Sequence, residues 1–194
     1  MNELSKESIK IDSREYVDPV KEVINGKTYI IVNTSFIHSH IVTSLRDIFF
    51  LYFYNKGNTQ CRVFSEGLNI YLDKEDEDTY VIPDVAIICG DIKIQGNGYI
   101  GVPELIVEVL SDKTRTKDKG LKFRLYEKTG VKEYFIVDPR SKTIEQYILK
   151  DGSYFLEPVI IIDLDEVEND NENFIMESKV FEGMKVDFNN IFKV

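Results

Sequence analysis

At 194 residues, the chain has the length of one domain and can bury a sizeable core, since domains usually run to about 100–200 residues. With 43% hydrophobic and 12% aromatic residues, its composition excludes disordered, collagen-like and coiled-coil chains and predicts a globular protein. Its 24 basic residues against 34 acidic ones leave a net charge of −10, which argues against indiscriminate binding to nucleic acid or anionic membrane, so any polyanion site must be local.

Cys61 and Cys89 stand in hydrophobic stretches without CxxC spacing, and buried free thiols are therefore expected rather than a disulfide framework or zinc cluster. Residues 1–19 form a polar segment that lacks the apolar core of a signal peptide, and no run reaches the length of a membrane span. A cytoplasmic protein without a membrane partner is expected, with one domain over residues 20–194.

In chain order, Val20–Ile24 and Thr28–Val32 flank Asn25-Gly26, a hairpin with a type I′ turn, because Asn and Gly both tolerate positive φ. From His38, the positions Ile41, Val42, Leu45, Ile48, Phe49 and Tyr52 follow helical spacing, with Thr34 or Ser35 as N-cap and an end near Gly57. Three strand-like runs follow at Cys61–Leu72, Val81–Cys89 and Leu105–Leu110, and the acidic run Asp73–Asp78 reads as a solvated loop. A second helix is predicted between Thr114 and Thr129, closed by Gly130 as C-cap. Strands are then expected at Glu133–Val137, Thr143–Leu149 and Ser153–Ile162, the last two joined through Asp151-Gly152, followed by an acidic loop over Asp163–Glu172. A final strand and short helical turn around Val180–Phe192 close the chain. This order suits an α/β (α+β) fold in which helices flank a mixed sheet.

Three charges break the apolar pattern. Glu108 is the one polar residue in Leu105–Leu110, and a continuous apolar run belongs to a strand covered on both faces. A buried carboxylate must be protonated, salt-bridged or bound to a metal. Asp84, set by Pro83 at the mouth of Val85–Ile88, raises the same question, and two such acids on neighbouring strands suit one divalent cation, which prefers oxygen ligands. On the second helix, a turn of about 100° per residue puts Asp118, Leu121, Lys122, Leu125 and Tyr126 on one stripe. Lys122 there either snorkels outward or reaches the carboxylates beneath. From Lys113 to Lys128, seven basic residues against two acidic ones give a local charge of +5.

The ordered set Pro83-Asp84-Val85, Pro103 to Ser111, Thr114, Asp118, Lys122, Tyr126 and Gly130 to Pro139 closely resembles the Uma-two family of the PD-(D/E)XK nuclease superfamily. The hairpin Glu22–Gly26, His38, the strand Cys61–Phe64 and the segment Val180–Met184 extend the likeness over nearly all the chain after residue 20. The resemblance implies a restriction-endonuclease-like fold and a magnesium- or manganese-dependent site. Asp84 and Glu108 match the metal-binding carboxylates. The superfamily lysine usually lies two residues after its acid, where this chain has Leu110, and the resemblance moves that role to Lys122.

The expected function is therefore a divalent-metal-dependent endonuclease that hydrolyses DNA phosphodiester bonds with an activated water, Asp84, Glu108 and Lys122 being catalytic. Arg115, Lys117, Lys119 and Arg124 are the expected nucleic-acid contacts, and Glu22, His38 and Asp118 accessory residues. His38 and His40 do not make a helical metal pair, because residues two apart point away from one another. Tyr126 and Tyr134 read as packing residues with a polar tip. The alternative is a catalytically degenerate nuclease-fold module that binds nucleic acid or a protein partner. A homodimer is expected, since the aromatic-rich strands from Tyr147 to Phe155 offer an edge for pairing.

Overall fold

The computed structural model describes residues 20–31, 34–76, 78–162, 174–188 and 191–192. The polar segment 1–19, Val32 and the acidic stretch Asp163–Glu172 lie outside the described residues. Asn25 and Gly26 take φ values of 51° and 73°, as a type I′ turn requires, and join β1 (Lys21–Ile24) to β2 (Lys27–Ile30). Helix α1 spans Phe36–Asn55 and is capped by Ser35, whose hydroxyl accepts the backbone N–H of His38. Its buried face carries Ile41, Val42, Leu45, Phe49 and Phe53.

The expected strand Cys61–Leu72 is two strands in different sheets, β3 (Cys61–Ser65) and β4 (Asn69–Tyr71). Glu66 and Gly67 break it with φ values of 34° and 83°. The run Val81–Cys89 is likewise cut by Pro83, which has no N–H to give to a ladder, leaving β5 (Val85–Cys89). Between residues 90 and 104, where no strand is expected, β6 (Ile94–Gln95) and β7 (Gly98–Ile100) join β4 in a three-stranded sheet. Gly98 is needed there, because a Cβ would stand 2.5 Å from the Asn69 carbonyl oxygen.

β8 (Leu105–Val109) leads into the second helix, which opens with a π turn over Lys117–Lys122 before α2 (Phe123–Thr129) and ends at Gly130 with φ 95°. Beyond it come β9 (Glu133–Asp138), β10 (Thr143–Lys150), β11 (Ser153–Leu156) and β12 (Ile160–Ile161). Pro158 separates the last two, which the sequence reads as one. The closing element is a hairpin of β13 (Ile175–Glu177) and β14 (Lys185–Asp187).

The main sheet runs β11-β10-β9-β8-β5-β3, with β12 also on β10. It is mixed: β8 and β9 are parallel, joined by the second helix, and the other pairs are antiparallel. Side chains alternate across a strand. Leu105, Val107 and Val109 therefore face α1 and the β13–β14 hairpin, whereas Ile106 faces α2 with Ala86, Tyr134 and Ile136. Glu108 shares the parity of Ile106 and turns toward α2.

Cys61 and Cys89 are not free thiols. The β3–β5 register sets them directly opposite, and they form a disulfide. Spacing in sequence carries no sign of this, because the pairing is created by the register of two strands. No helix among the described residues is long and apolar enough to cross a membrane.

Candidate active site

The β5–β8 ladder pairs Val85 with Val107, and extending this antiparallel register by one residue sets Asp84 opposite Glu108. Directly opposed side chains share a face, with Cβ atoms about 4.5–5.5 Å apart. The Val109 N–H donates to Asp84 Oδ2 at 2.7 Å, holding that carboxylate at the strand end. Glu108 is 3% exposed and accepts from Lys122 Nζ at 2.8 Å and from the Tyr126 hydroxyl at 2.7 Å, both at Oε1. The structure thus joins Glu108 to Lys122, and both line one cleft with Asp84. With a volume of about 1230 Å³, the cleft exceeds the roughly 300–1,000 Å³ of small-ligand pockets.

Lys122 is shared. Its ammonium also lies 2.6 Å from Glu22 Oε1 and 3.8 Å from Asp118 Oδ1. Glu22, fully buried on β1, also binds the Lys117 ammonium and accepts the Ile82 N–H at 2.9 Å. Among the described residues, the cations that meet Glu22, Glu108 and Asp118 are Lys122 and Lys117, and Asp118 Oδ1 is buried with no hydrogen-bond partner among them. This excess of negative charge is relieved by a proton or by a cation. The donor set, carboxylates at the floor of an open cleft, fits a hard divalent cation.

The titration behaviour follows from these contacts. Burial pushes the Glu108 carboxyl well above its ordinary value, against the pull of Lys122. Burial works against charge on Lys122, but Glu108, Glu22 and Asp118 outweigh it and raise its pKa, so the ammonium stays protonated. Burial also opposes ionisation of Glu22, where Lys122 and Lys117 prevail and lower its pKa. Asp118 is raised by burial.

His38, in the first turn of α1, is 5% exposed and holds Nε2 3.3 Å from Asp84 Oδ2. On its other side Nδ1 stands 3.9 Å from Glu66 Oε1. Tyr126, read from the sequence as packing, is a hydrogen-bond donor to Glu108, and Tyr134 donates to the Asp118 carbonyl oxygen at 3.2 Å. Glu66 goes unnoticed in the sequence, where it is one acid in a run taken as a continuous strand.

Three of the four expected nucleic-acid contacts are engaged within the chain. Arg115 makes two bonds to Asp138, Lys117 binds Glu22, and Lys119 binds Glu145 at 2.6 Å. Arg124 is exposed and lines the cleft, as does Lys113.

Comparison with known proteins agrees with this architecture. A protein from Anabaena variabilis, described as "a putative nuclease belonging to DUF820", has a crystal structure that superposes with a TM-score of 0.66 at 17% identity, covering 91% of each chain. An uncharacterised protein of Synechocystis sp. is 29% identical over 136 residues, 70% of this chain and 69% of its own length. The Uma2 family, which carries the description "Putative restriction endonuclease", matches residues 11–189, and the chain belongs to that family.

Proposed function

We propose that this chain is a divalent-metal-dependent endonuclease that hydrolyses DNA phosphodiester bonds with a metal-activated water. The observation that carries the reading is the meeting of Glu108 and Lys122 at 2.8 Å in a cleft that Asp84 also lines. Asp84 and Glu108 would hold Mg²⁺ or Mn²⁺, which supplies an activated water and charge neutralisation at the phosphate. Tyr126 fixes Glu108, and the Val109 N–H fixes Asp84. Lys122 keeps its proton and presents positive charge where negative charge develops on the phosphate. Glu22 and Asp118 hold that ammonium in place. The exposed Arg124 and Lys113 at the rim suit a polyanion, in keeping with the +5 balance of this segment in a chain of net charge −10.

Nicking of supercoiled plasmid in Mg²⁺ and Mn²⁺ tests the reading. Glu108→Gln and Asp84→Asn should each lose at least about a hundredfold in rate, and Lys122→Met should slow cleavage while sparing DNA binding. Cleavage that survives Glu108→Gln sinks it.

One observation favours the alternative of a degenerate module that binds nucleic acid or a protein without cutting: Lys122 is engaged by three carboxylates. DNA binding without nicking in either metal would select it. The reading includes a homodimer in the cytoplasm, paired along the β11 edge, where Phe155 and Leu156 are each 51% exposed. The Cys61–Cys89 disulfide sets a condition on that location, since cytosolic disulfides are usually transient. Light scattering on the eluted protein measures the oligomer.

A further inference from the structure

Three carboxylates form a row across the sheet, one residue past the last paired residues of the β3–β5 and β5–β8 ladders. β3 pairs Ser65 with Val85, and β5 pairs Val85 with Val107, so Glu66, Asp84 and Glu108 follow in one line. The Glu66 N–H donates to the Asp84 carbonyl oxygen at 3.1 Å, which continues the ladder. Glu108 has Lys122 and Tyr126, whereas Glu66 meets His38 of α1.

The imidazole of His38 lies between two acids. Asp84 Oδ2 stands 3.3 Å from Nε2 and also accepts the Val109 N–H, so Nε2–H is the donor toward it, and in the neutral ring Nδ1 then offers a lone pair. That Nδ1 is buried with no hydrogen-bond partner among the described residues, an uncommon state for a buried polar atom. Glu66 Oε1 stands 3.9 Å away, too far for a hydrogen bond. Two donors bound at about 2.1 Å to one ion lie roughly 3.0–4.2 Å apart, and the observed separation falls in that span. One donor atom from each of His38, Glu66 and Asp84 lies within 4.8 Å of the others.

We propose that His38 and Glu66, with Asp84, form a site for a first-row transition cation: His38 ligates through Nδ1, Glu66 through a carboxylate oxygen, and Asp84 orients the ring through Nε2–H. A carboxylate that orients a ligating histidine is the usual outer support of such sites. The nitrogen donor favours Zn²⁺, Fe²⁺, Ni²⁺ or Cu²⁺ over Mg²⁺, and Mn²⁺, the weakest-binding member of the series, serves as the paramagnetic probe. The site stands on the α1 side of the acid row, and Asp84 is its link to the Glu108 side. It rests on the nuclease reading for its use, but not for its occupancy.

Pulsed electron paramagnetic resonance of Mn²⁺ bound to the full chain tests it, because directly bound nitrogen modulates the echo. The chain has two histidines, His38 and His40, so ¹⁵N-histidine labelling of the unmodified protein should alter that modulation without any mutation. His38→Gln should abolish the coupling and weaken Mn²⁺ binding about tenfold or more. Glu66→Gln, at a side chain 48% exposed, should weaken binding and keep the coupling, and His40→Gln should change neither. No histidine coupling in any Mn²⁺ complex, or coupling that survives His38→Gln, overturns the site. Coupling to His38 without plasmid nicking leaves the site standing and removes the nuclease, whereas nicking that depends on Glu108 without histidine coupling does the reverse.

Discussion

Replacing Lys122 by Met should lower stability by about 3–5 kcal/mol, the cost of removing one partner from a buried ion pair. Its ammonium touches Glu22, Glu108 and Asp118 at 2.6, 2.8 and 3.8 Å, and none of the four side chains is more than 3% exposed. Lys117 still neutralises Glu22 in the variant, so the loss is that of one broken network and not of three independent pairs. For a chain of this size, each kcal/mol is worth about 2–4 °C, so Tm should fall by about 6–20 °C. The loss should depend on pH. Burial raises the Glu108 pKa in the folded state from an ordinary 4.5, so the native protein binds more protons than the unfolded chain above that value, and stability falls as pH rises. Without Lys122 to oppose burial, that slope steepens, and the penalty at pH 8 should exceed the penalty at pH 5.5. Glu108→Gln should stay within about 1 kcal/mol of the parent, since the amide oxygen still accepts from Tyr126 and Lys122 while a buried charge is removed. In the double variant, part of the Lys122→Met loss should be recovered. Leu105→Ala, at a fully buried site, is the control: about 2–5 kcal/mol lost through a cavity, equally at every pH. Urea titrations followed by circular dichroism from pH 5.5 to 8.5 measure all four. A loss for Lys122→Met below about 0.5 kcal/mol, or one as flat in pH as that of Leu105→Ala, would refute the network.

Arg115 hydrogen-bonds Asp138 and holds its carboxyl far below the ordinary 3.8; in Arg115→Gln the Asp138 carboxyl carbon, followed by NMR, should titrate back near that value, and an unmoved midpoint would break the pairing. The Asp138 contribution to stability is present above 3.8 and is lost as pH falls, so the cost of Arg115→Gln should shrink in acid. Charge reversal at Lys113 and Arg124 should flatten the salt dependence of duplex DNA binding, log K changing slope by about 0.9 for each phosphate no longer neutralised. Reversal at Lys117 should instead cost stability first, because its ammonium is held against the buried Glu22; equal salt slopes for all three variants would contradict that division. Peptide mapping of alkylated, unreduced protein should recover Cys61 linked to Cys89, and reduction should cost about 3.6 kcal/mol for a sequence separation of 28, with alkylated free thiols before reduction as the opposing result.

Much of the site is legible in the sequence. Glu108 announces itself as one charge in an apolar run, Pro83 marks where Asp84 precedes its strand, and helical spacing puts Lys122 on the inner stripe with Tyr126. The Asn25-Gly26 turn, the Ser35 cap and the Gly130 stop are equally local, and the structure keeps each of them. Such features depend on a residue and its near neighbours, and periodicity reports which face a side chain takes.

Which residue waits on that face depends on register and strand order. Glu22 reaches Lys117 from 95 positions away, Cys61 meets Cys89 because β3 and β5 pair in one register of several possible, and Arg115 and Lys119 lose their freedom to acids on β9 and β10. Glu66 shows this most clearly. Taken alone it is one acid in a run that reads as a single strand, and its place beside His38 follows from a left-handed break at Glu66-Gly67 and from α1 crossing that end of the sheet. Local sequence is enough to say which side chains turn inward, because that follows from the repeat of a helix or a strand. Which distant charges then meet is a property of the assembled fold, because each such pair needs its two segments brought within about 4 Å.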